Sequence, residues 1–233
     1  MIKLYNKDCI EFLGEIENDS IDLICIDPPY NISRETSFCK GKPTGKDADR
    51  FRREMIFGEW DKDFNIEPVI KECYRVLKEH GTIICFYDLW KITNLKEYMK
   101  KYEFKQLRFI EWVKTNPMPI NSSINYLTNA REIAITACKK NKPVFNSKYD
   151  NGIYSFRFCN DKGRFHPTQK PVKLIEELIK KHSNEGDLVL DCFSGSGTTA
   201  VACFNTNRNF IGTEFDKKYY DKSIYRIKLL TNT

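Results

Sequence analysis

Four short, almost continuously apolar runs recur along the chain and constrain its fold more than any other feature. They cover residues 21–26, 82–87, 187–190 and 209–212. Strands that are buried on both faces of a parallel sheet have this pattern, and each run is shorter than a typical helix. We therefore expect these segments to form the centre of a parallel sheet.

Longer amphipathic segments lie between the apolar runs. Residues 65–79, 171–182 and 216–230 carry apolar side chains at helical spacing. Gly81 is a plausible stop for the first of these helices, and Asp216 is a plausible N-cap for the last. The alternation of strands and helices predicts an α/β fold with helices on both faces of the sheet.

Weaker strand patterns at residues 2–5, 108–113 and 132–138 complete a predicted seven-stranded, mostly parallel sheet. Two polar segments, residues 31–59 and 139–165, interrupt the alternation, and long loops of this kind often carry function. We expect a single domain over the whole chain, 1–233, with these two loops as insertions that contact a partner.

Composition narrows the class of protein. The nine cysteines are never closer than 11 residues, so no Cys-x-x-Cys pair is present for a metal or a redox motif. Reduced, structural thiols and a cytoplasmic location are expected. No run approaches the roughly 18 apolar residues of a membrane span, and the N-terminus does not resemble a signal peptide. The net charge of +6 favours an anionic partner.

The first chemical motif is Asp27-Pro28-Pro29-Tyr30, directly after the apolar run 21–26. Ligands collect at the carboxyl ends of strands in α/β sheets. The two prolines stiffen the turn and lack N–H groups, so carbonyl groups there can act as acceptors. A carboxylate and a carbonyl directed at one point suit an NH2 group, and Tyr30 offers a ring on which a base could stack.

The second motif runs from Asp191 to Thr199 and contains a Gly-x-Gly turn behind another apolar run. Glycines let backbone amides approach a ligand closely, and a helix beginning near Thr198 would direct its N-terminus at a carboxylate. No lysine follows Gly197, which argues against a nucleotide triphosphatase. Glu214, at the end of the next strand, is placed to hold the two hydroxyls of a ribose.

Together these motifs resemble the amino methyltransferases of DNA. The Asp-Pro-Pro-Tyr element precedes the Phe-x-Gly-x-Gly-Thr-Thr loop, and residues 166–171, His-Pro-Thr-Gln-Lys-Pro, come just before the strand of that loop. This circularly permuted order is similar to the β class of adenine-N6 and cytosine-N4 enzymes, and residues 112–119 match a further block. The short MboII-like and Helicobacter adenine enzymes resemble the chain over almost its whole length.

The resemblance implies an S-adenosylmethionine-dependent methyltransferase of the Rossmann-like fold that acts on N6 of adenine and needs no metal. Asp27 and the Pro28 carbonyl would hold the amine, with Pro29 and Tyr30 completing the catalytic element. The implied cofactor residues are Asp8, Cys9, Asp27, His166, Thr168, Lys170, Asp191, Phe193, Gly195, Ser196, Gly197, Thr198, Thr199 and Glu214. Double-stranded DNA is the implied partner, and a homodimer and a cognate restriction endonuclease are further candidates.

A base inside a duplex must be rotated out before its amine can react, which implies extensive contact with DNA. Basic side chains available for the phosphates cluster in the first polar loop, and the block at 112–119 adds two polar candidates. The predicted DNA-binding residues are Lys40, Lys42, Arg50, Arg52, Arg53, Lys114 and Asn116.

Three alternatives remain open at the level of sequence. Cytosine-N4 methylation would use the same acceptors, although Asp27 favours adenine because cytosine enzymes of the family mostly carry serine there. Methylation of RNA or protein amides is disfavoured because those relatives mostly begin the element with asparagine. An inactive DNA-binding module would show degenerate motifs, and both motifs are intact. Three histidines and no clustered cysteines exclude a zinc deaminase.

Overall fold

The computed structural model describes residues 1–30, 64–117, 127–140, 142–158, 164–166 and 168–231. The strands are β1 (Ile2–Tyr5), β2 (Ile21–Ile26), β3 (Leu77–Tyr87), β4 (Lys105–Lys114), β5 (Arg131–Cys138), β6 (Ile153–Phe156), β7 (Leu188–Asp191) and β8 (Asn209–Thr213). The helices are α1 (Cys9–Gly14), α2 (Glu67–Val76), α3 (Ile92–Lys101), α4 (Val172–His182), α5 (Thr198–Asn205) and α6 (Lys217–Thr231).

The eight strands form one sheet in the order β1-β8-β7-β2-β3-β5-β4-β6. The first five strands in this order pair in parallel, while β5 is antiparallel to both β3 and β4. The mostly parallel α/β architecture is thus confirmed. Since β2, β7 and β8 are neighbours and parallel, the residues that follow them emerge at the same edge of the sheet.

Apolar side chains cover both faces of the sheet. On one face, helices α1, α2 and α3 contribute side chains such as Leu13, Ile70 and Leu95 to the core. On the other face, helices α4, α5 and α6 contribute residues such as Leu178 and Ala202. Helices on both faces were predicted from the alternation of elements, and the central strands are accordingly inaccessible to solvent.

The helix predicted over 65–79 ends earlier, at Val76, and Leu77 begins β3. Gly81 is therefore inside a strand and does not stop a helix, so this prediction was wrong. A Cβ atom at Gly81 would lie 2.7 Å from the Leu77 side chain and 3.0 Å from the Asp22 carbonyl oxygen. The glycine allows a close approach between neighbouring strands, as glycine in a strand commonly does.

Over the part of the chain that the structure describes, the sheet has eight strands, one more than predicted, because part of the polar segment 139–165 forms β6. This strand pairs in parallel with β4, and the indole N–H of Trp112 donates to the Phe156 carbonyl at 3.1 Å. Of the four residues of this strand, only Tyr154 is buried. Among the described helices, none is long and apolar enough to cross a membrane.

Candidate active site

A cleft of about 270 Å³ opens where β2, β7 and β8 end. Apart from Gly197, every residue predicted for the catalytic element and the cofactor pocket lines it. Those lining residues are Asp8, Cys9, Asp27, Pro28, Pro29, Tyr30, His166, Thr168, Lys170, Asp191, Phe193, Gly195, Ser196, Thr198, Thr199 and Glu214. Residues from both ends of the chain are thus brought together in one concave site.

Both oxygens of the Asp27 carboxylate have partners. The Tyr30 hydroxyl donates a short hydrogen bond to Oδ1, and the Lys170 ammonium donates to Oδ2 at 2.5 Å. Burial, and then the neighbouring carboxylates of Asp27 and Glu132, raise the pKa of Tyr30 well above its ordinary value. Tyr30 therefore remains a neutral phenol that donates its proton to Asp27.

Lys170 has a second carboxylate partner that was not predicted from the sequence. Its Nζ lies 2.9 Å from Oε2 of Glu132 on β5, and Glu132 in turn pairs with Lys114 on β4 at 2.7 Å. Burial alone would lower the pKa of Lys170, but the carboxylates of Asp27 and Glu132 raise it above its ordinary value. Lys170 lines the cleft while its ammonium group pairs with these two carboxylates, and its contact with the cofactor stays a prediction.

The glycine loop is shaped by the Asp191 carboxylate at the end of β7. The Phe193 N–H donates to Asp191 Oδ1 at 2.9 Å, and the Thr199 hydroxyl donates to Oδ2 at 2.6 Å. Gly195 and Gly197 have φ values of +50° and +71°, a region that favours glycine. Gly197 is the N-cap of α5 and packs against Ser223, which explains why it does not line the cleft.

Burial raises the pKa of the Asp191 carboxyl from its ordinary 3.8 to about 7, although the bonds from Thr199 and Phe193 act in the opposite direction. Between these two pH values the folded chain binds a proton that the unfolded chain does not bind. The contribution of Asp191 to stability is therefore largest at low pH and declines as the pH rises from about 4 to 7.

We expect the free energy of unfolding of the parent, relative to that of Asp191→Asn, to fall as the pH rises through this window. The amide is neutral at every pH and preserves an acceptor for Phe193. Urea denaturation of both proteins at pH values on either side of the window measures this difference. A difference that stays constant with pH, or that moves in favour of the parent, would contradict the assigned titration.

Glu214 is tied to the same loop. Its Oε2 accepts from the Gly195 N–H at 2.7 Å and its Oε1 accepts from the Asp216 N–H at 2.8 Å. A carboxylate has about four lone-pair positions, so the two oxygens retain capacity for further donors such as hydroxyl groups. Asp216 caps α6, as predicted, by accepting from the N–H groups of Lys218 and Tyr219.

His166 and Thr168 form the wall opposite the glycine loop. The Thr168 N–H donates to His166 Nδ1 at 3.4 Å, and the imidazole meets the Tyr219 ring edge-on at 4.3 Å between centroids. Burial, followed by the charges of Lys170 and Arg164, lowers the pKa of His166 to about 4. The ring is consequently neutral near pH 7 and serves as a shaped wall of the cleft.

Asp8 and Cys9 close the end of the cleft near β1. Asp8 caps α1, with its Oδ1 accepting from the N–H groups of Ile10 and Glu11. Burial, then the Asp8 charge, raises the pKa of Cys9 to about 12. A protonated thiol is a poor nucleophile, which agrees with a reaction that needs no covalent intermediate with the protein.

The predicted DNA contacts divide into two groups. Lys40, Lys42, Arg50, Arg52 and Arg53 lie outside the described residues. Lys114 and Asn116 are described, and their side chains are engaged within the fold. Lys114 pairs with Glu132 and its side chain is only 12% exposed, while Asn116 accepts from the Phe158 N–H at 2.6 Å. Both side chains bind other parts of the chain, and their contact with DNA stays a prediction.

Aromatic side chains near the cleft were also missed. Tyr87, at the end of β3, meets the Tyr30 ring edge-on at 5.7 Å, and Phe64 meets Phe193 in the same way at 5.5 Å. The only sequence signal for Tyr87 is its position at the carboxyl end of a predicted strand. Within the described ranges, no group of three or more His, Cys, Asp or Glu residues could hold a metal ion.

Two solved structures share this fold over almost the whole chain. The crystal structure of the M1.HpyAVI–SAM complex superposes with a TM-score of 0.75 at 28% identity, covering 97% of this chain and 99% of that one. The cytosine-N4-specific PvuII DNA methyltransferase superposes with a TM-score of 0.75 at 17% identity, covering 99% and 90%. The second likeness concerns the fold alone, whereas the first extends to the sequence.

Sequence relatives define the family. The chain is 35% identical to the type II methyltransferase M.HinfI of Haemophilus influenzae, covering 95% of this chain and 67% of that protein. It is 32% identical to the type II methyltransferase M2.MboI of Moraxella bovis, covering 98% and 88%. The DNA methylase family of N6 and N4 methyltransferases matches residues 21–225. The chain belongs to this family, and the predicted class is confirmed.

Proposed function

We propose that the chain transfers a methyl group from S-adenosylmethionine to N6 of adenine within a specific sequence of double-stranded DNA. The observation that carries this proposal is the single cleft in which the Asp27–Tyr30 element, the glycine loop and Glu214 meet. A relative of 28% identity has been crystallised with S-adenosylmethionine, which supports the choice of cofactor.

The residues present fit this cofactor. The N-terminus of α5 and the backbone amides of the glycine loop suit its carboxylate, because a helix N-terminus attracts negative charge. Glu214, with lone pairs to spare, suits the ribose hydroxyls, and we assign Asp8, which lines the same cleft, to the adenine end. When bound, S-adenosylmethionine supplies an electrophilic methyl carbon, so the protein itself needs no nucleophile.

The task of Asp27 is to accept hydrogen bonds from the target amine. The lone pair of an aromatic amine is delocalised into its ring, and acceptors at Asp27 and at the Pro28 carbonyl would draw the two N–H groups out of the ring plane. The carboxylate also offsets positive charge that develops on nitrogen, an effect of about 3–4 kcal/mol in comparable sites. Alignment of the two reactants supplies much of the remaining acceleration.

The target base reaches this site by rotating out of the duplex, which costs a few kcal/mol. Stacking on an aromatic side chain returns about 1–3 kcal/mol per base, and Tyr30, supported by Tyr87, is the proposed platform. We assign the phosphate contacts to the basic residues of the 31–59 loop and sequence recognition to the two polar insertions. Replacing Arg50, Arg52 and Arg53 with glutamate should weaken DNA binding and flatten its salt dependence.

Cytosine-N4 methylation is the second candidate, because the same acceptors serve either amine and the family contains both types. Aspartate at position 27 favours adenine. We further propose that the protein acts in the cytoplasm and works with a restriction endonuclease, since relatives are named type II methyltransferases. A homodimer remains a prediction.

Expression in a bacterial host that lacks DNA methylation tests the target base and its sequence context together. Modified bases in the host genome can be mapped by single-molecule sequencing, with a host expressing Asp27→Asn as the control. N6-methyladenine at one recurring short sequence is the expected result. N4-methylcytosine would replace the proposed target with the second candidate, and an unmodified genome alongside well-expressed protein would contradict both.

A further inference from the structure

Four buried or half-buried charged side chains form a series of contacts from the catalytic element into the sheet, and their charges alternate in sign. Asp27 contacts Lys170, Lys170 contacts Glu132, and Glu132 contacts Lys114, at 2.5, 2.9 and 2.7 Å. They come from the end of β2, the segment before α4, β5 and β4. We refer to these four residues as the charge array.

Stability alone is a poor explanation for the charge array. The Lys170 side chain is 6% exposed and its ammonium lies 4.8 Å above the Phe86 ring. Moving ions out of water is costly, and buried ion pairs can often be replaced by apolar residues without loss of stability. Removing one partner leaves an unpaired buried charge. The array therefore restrains Asp27, the member that belongs to the catalytic element.

We propose that Lys170 and Glu132 are positioning residues for methyl transfer: Lys170 holds the Asp27 carboxylate by Oδ2, and Glu132 holds Lys170. This inference rests on the proposed function. The terminal torsion of an aspartate is broad when it is unrestrained. Here the Tyr30 hydroxyl and the Lys170 ammonium bind opposite oxygens, which fixes the plane of the carboxylate and the direction of its remaining lone pairs.

Lys170 also links two carboxylates from different strands. Its ammonium group contacts both Asp27 and Glu132, and because an ammonium group only donates hydrogen bonds, both carboxylates accept from it. Tyr30 and Lys170 contact Asp27 directly, while Lys114 pairs with Glu132 on its other side and His166 and Asp191 lie near. The last two are neutral or half-protonated near pH 7.

The test compares Lys170→Met, Lys170→Arg and Glu132→Gln with the parent in methyl transfer to DNA. For Lys170→Met we expect kcat to fall about 10–100-fold, as when a residue that orients a functional group is removed, with little change in the KM for S-adenosylmethionine. Lys170→Arg should recover much of the rate, and Glu132→Gln should lose about tenfold.

Lys140→Met is the matched control, because Lys140 forms an exposed ion pair with Glu79 at the opposite edge of the sheet. It should retain the kcat of the parent. The proposal is overturned if folded Lys170→Met has the kcat of the parent, or if only its KM for the cofactor rises. If Lys170→Met fails to fold, Glu132→Gln decides, and a kcat equal to that of the parent overturns the proposal. A parent that methylates no DNA at all would instead refute the proposed function.

Discussion

Asp27→Asn is expected to lower the rate of methyl transfer at saturating cofactor and DNA by about 10²–10³-fold, the range for removing one preorganised electrostatic contact. Asparagine has nearly the same shape, and its oxygen can still accept from Tyr30. Its amide nitrogen cannot accept a hydrogen bond from the target amine and carries no charge to offset the developing positive nitrogen. It also places a donor towards the Lys170 ammonium, which bonds the native Oδ2 at 2.5 Å.

Asp22→Asn is the control for this experiment. Asp27 follows the carboxyl end of β2, whereas Asp22 lies near the other end of this strand, where it pairs with Lys78 at 2.7 Å and accepts from the Leu188 N–H at 2.9 Å. Its substitution should leave the rate unchanged. Equal rates for Asp27→Asn and the parent would show that the reacting amine is held elsewhere.

Gly212→Ala is expected to destabilise the fold by about 2–3 kcal/mol, because an added methyl group meets close-packed backbone. Gly212 pairs with Asp191 across β7 and β8. An added Cβ atom would lie 2.5 Å from the Asp191 carbonyl oxygen and 2.8 Å from the Ser194 hydroxyl. Both atoms are at the base of the glycine loop, so the same substitution should weaken cofactor binding. Urea denaturation and calorimetric titration with S-adenosylmethionine measure the two effects.

Gly14→Ala serves as the matched glycine substitution. Apart from its chain neighbours and the backbone of its own helix, no atom lies within 4 Å of the position that its Cβ would take, and Gly14 does not have a positive φ. Alanine there should be neutral or stabilising by about 0.4–1 kcal/mol, because it restricts the unfolded chain. If Gly212→Ala unfolds with the free energy of the parent, the two strands are not as closely packed as described.

The sequence was sufficient to predict the central strands and the motifs that follow them. β2 coincides with the predicted run 21–26, and the Asp27 element and the glycine loop occupy neighbouring strand ends. Short and almost continuously apolar runs leave little choice of structure, because strands buried on both faces of a sheet have this pattern. The elements that place the chemistry were therefore predictable.

The predictions that failed concern segments whose sequence pattern fits two structures. Val76 and Leu77 continue the amphipathic period of α2, and Leu77 belongs to a strand only because it pairs with Ile21. β6 has four residues and gains its stability from β4. Such tertiary effects override local preference.

Glu132 shows why part of the site could not be predicted from the sequence. At the start of a strand with a charged neighbour, Arg131, it looks like an ordinary solvent-facing residue. Its function depends on Lys170 and Lys114, which lie far along the chain and reach it only in the folded sheet. No local pattern reports this convergence, whereas the Asp-Pro-Pro-Tyr and glycine-loop motifs are contiguous in sequence and could be interpreted directly.

Methyl transfer to N6 of adenine is tested most directly with purified protein, unmethylated duplex DNA and S-adenosylmethionine that carries a trideuterated methyl group. Mass spectrometry of the released nucleosides would then follow the label itself. We expect trideuterated N6-methyladenine with the parent protein and almost none with Asp27→Asn. DNA without the label after incubation with folded, cofactor-binding parent protein would contradict the proposed methyl transfer.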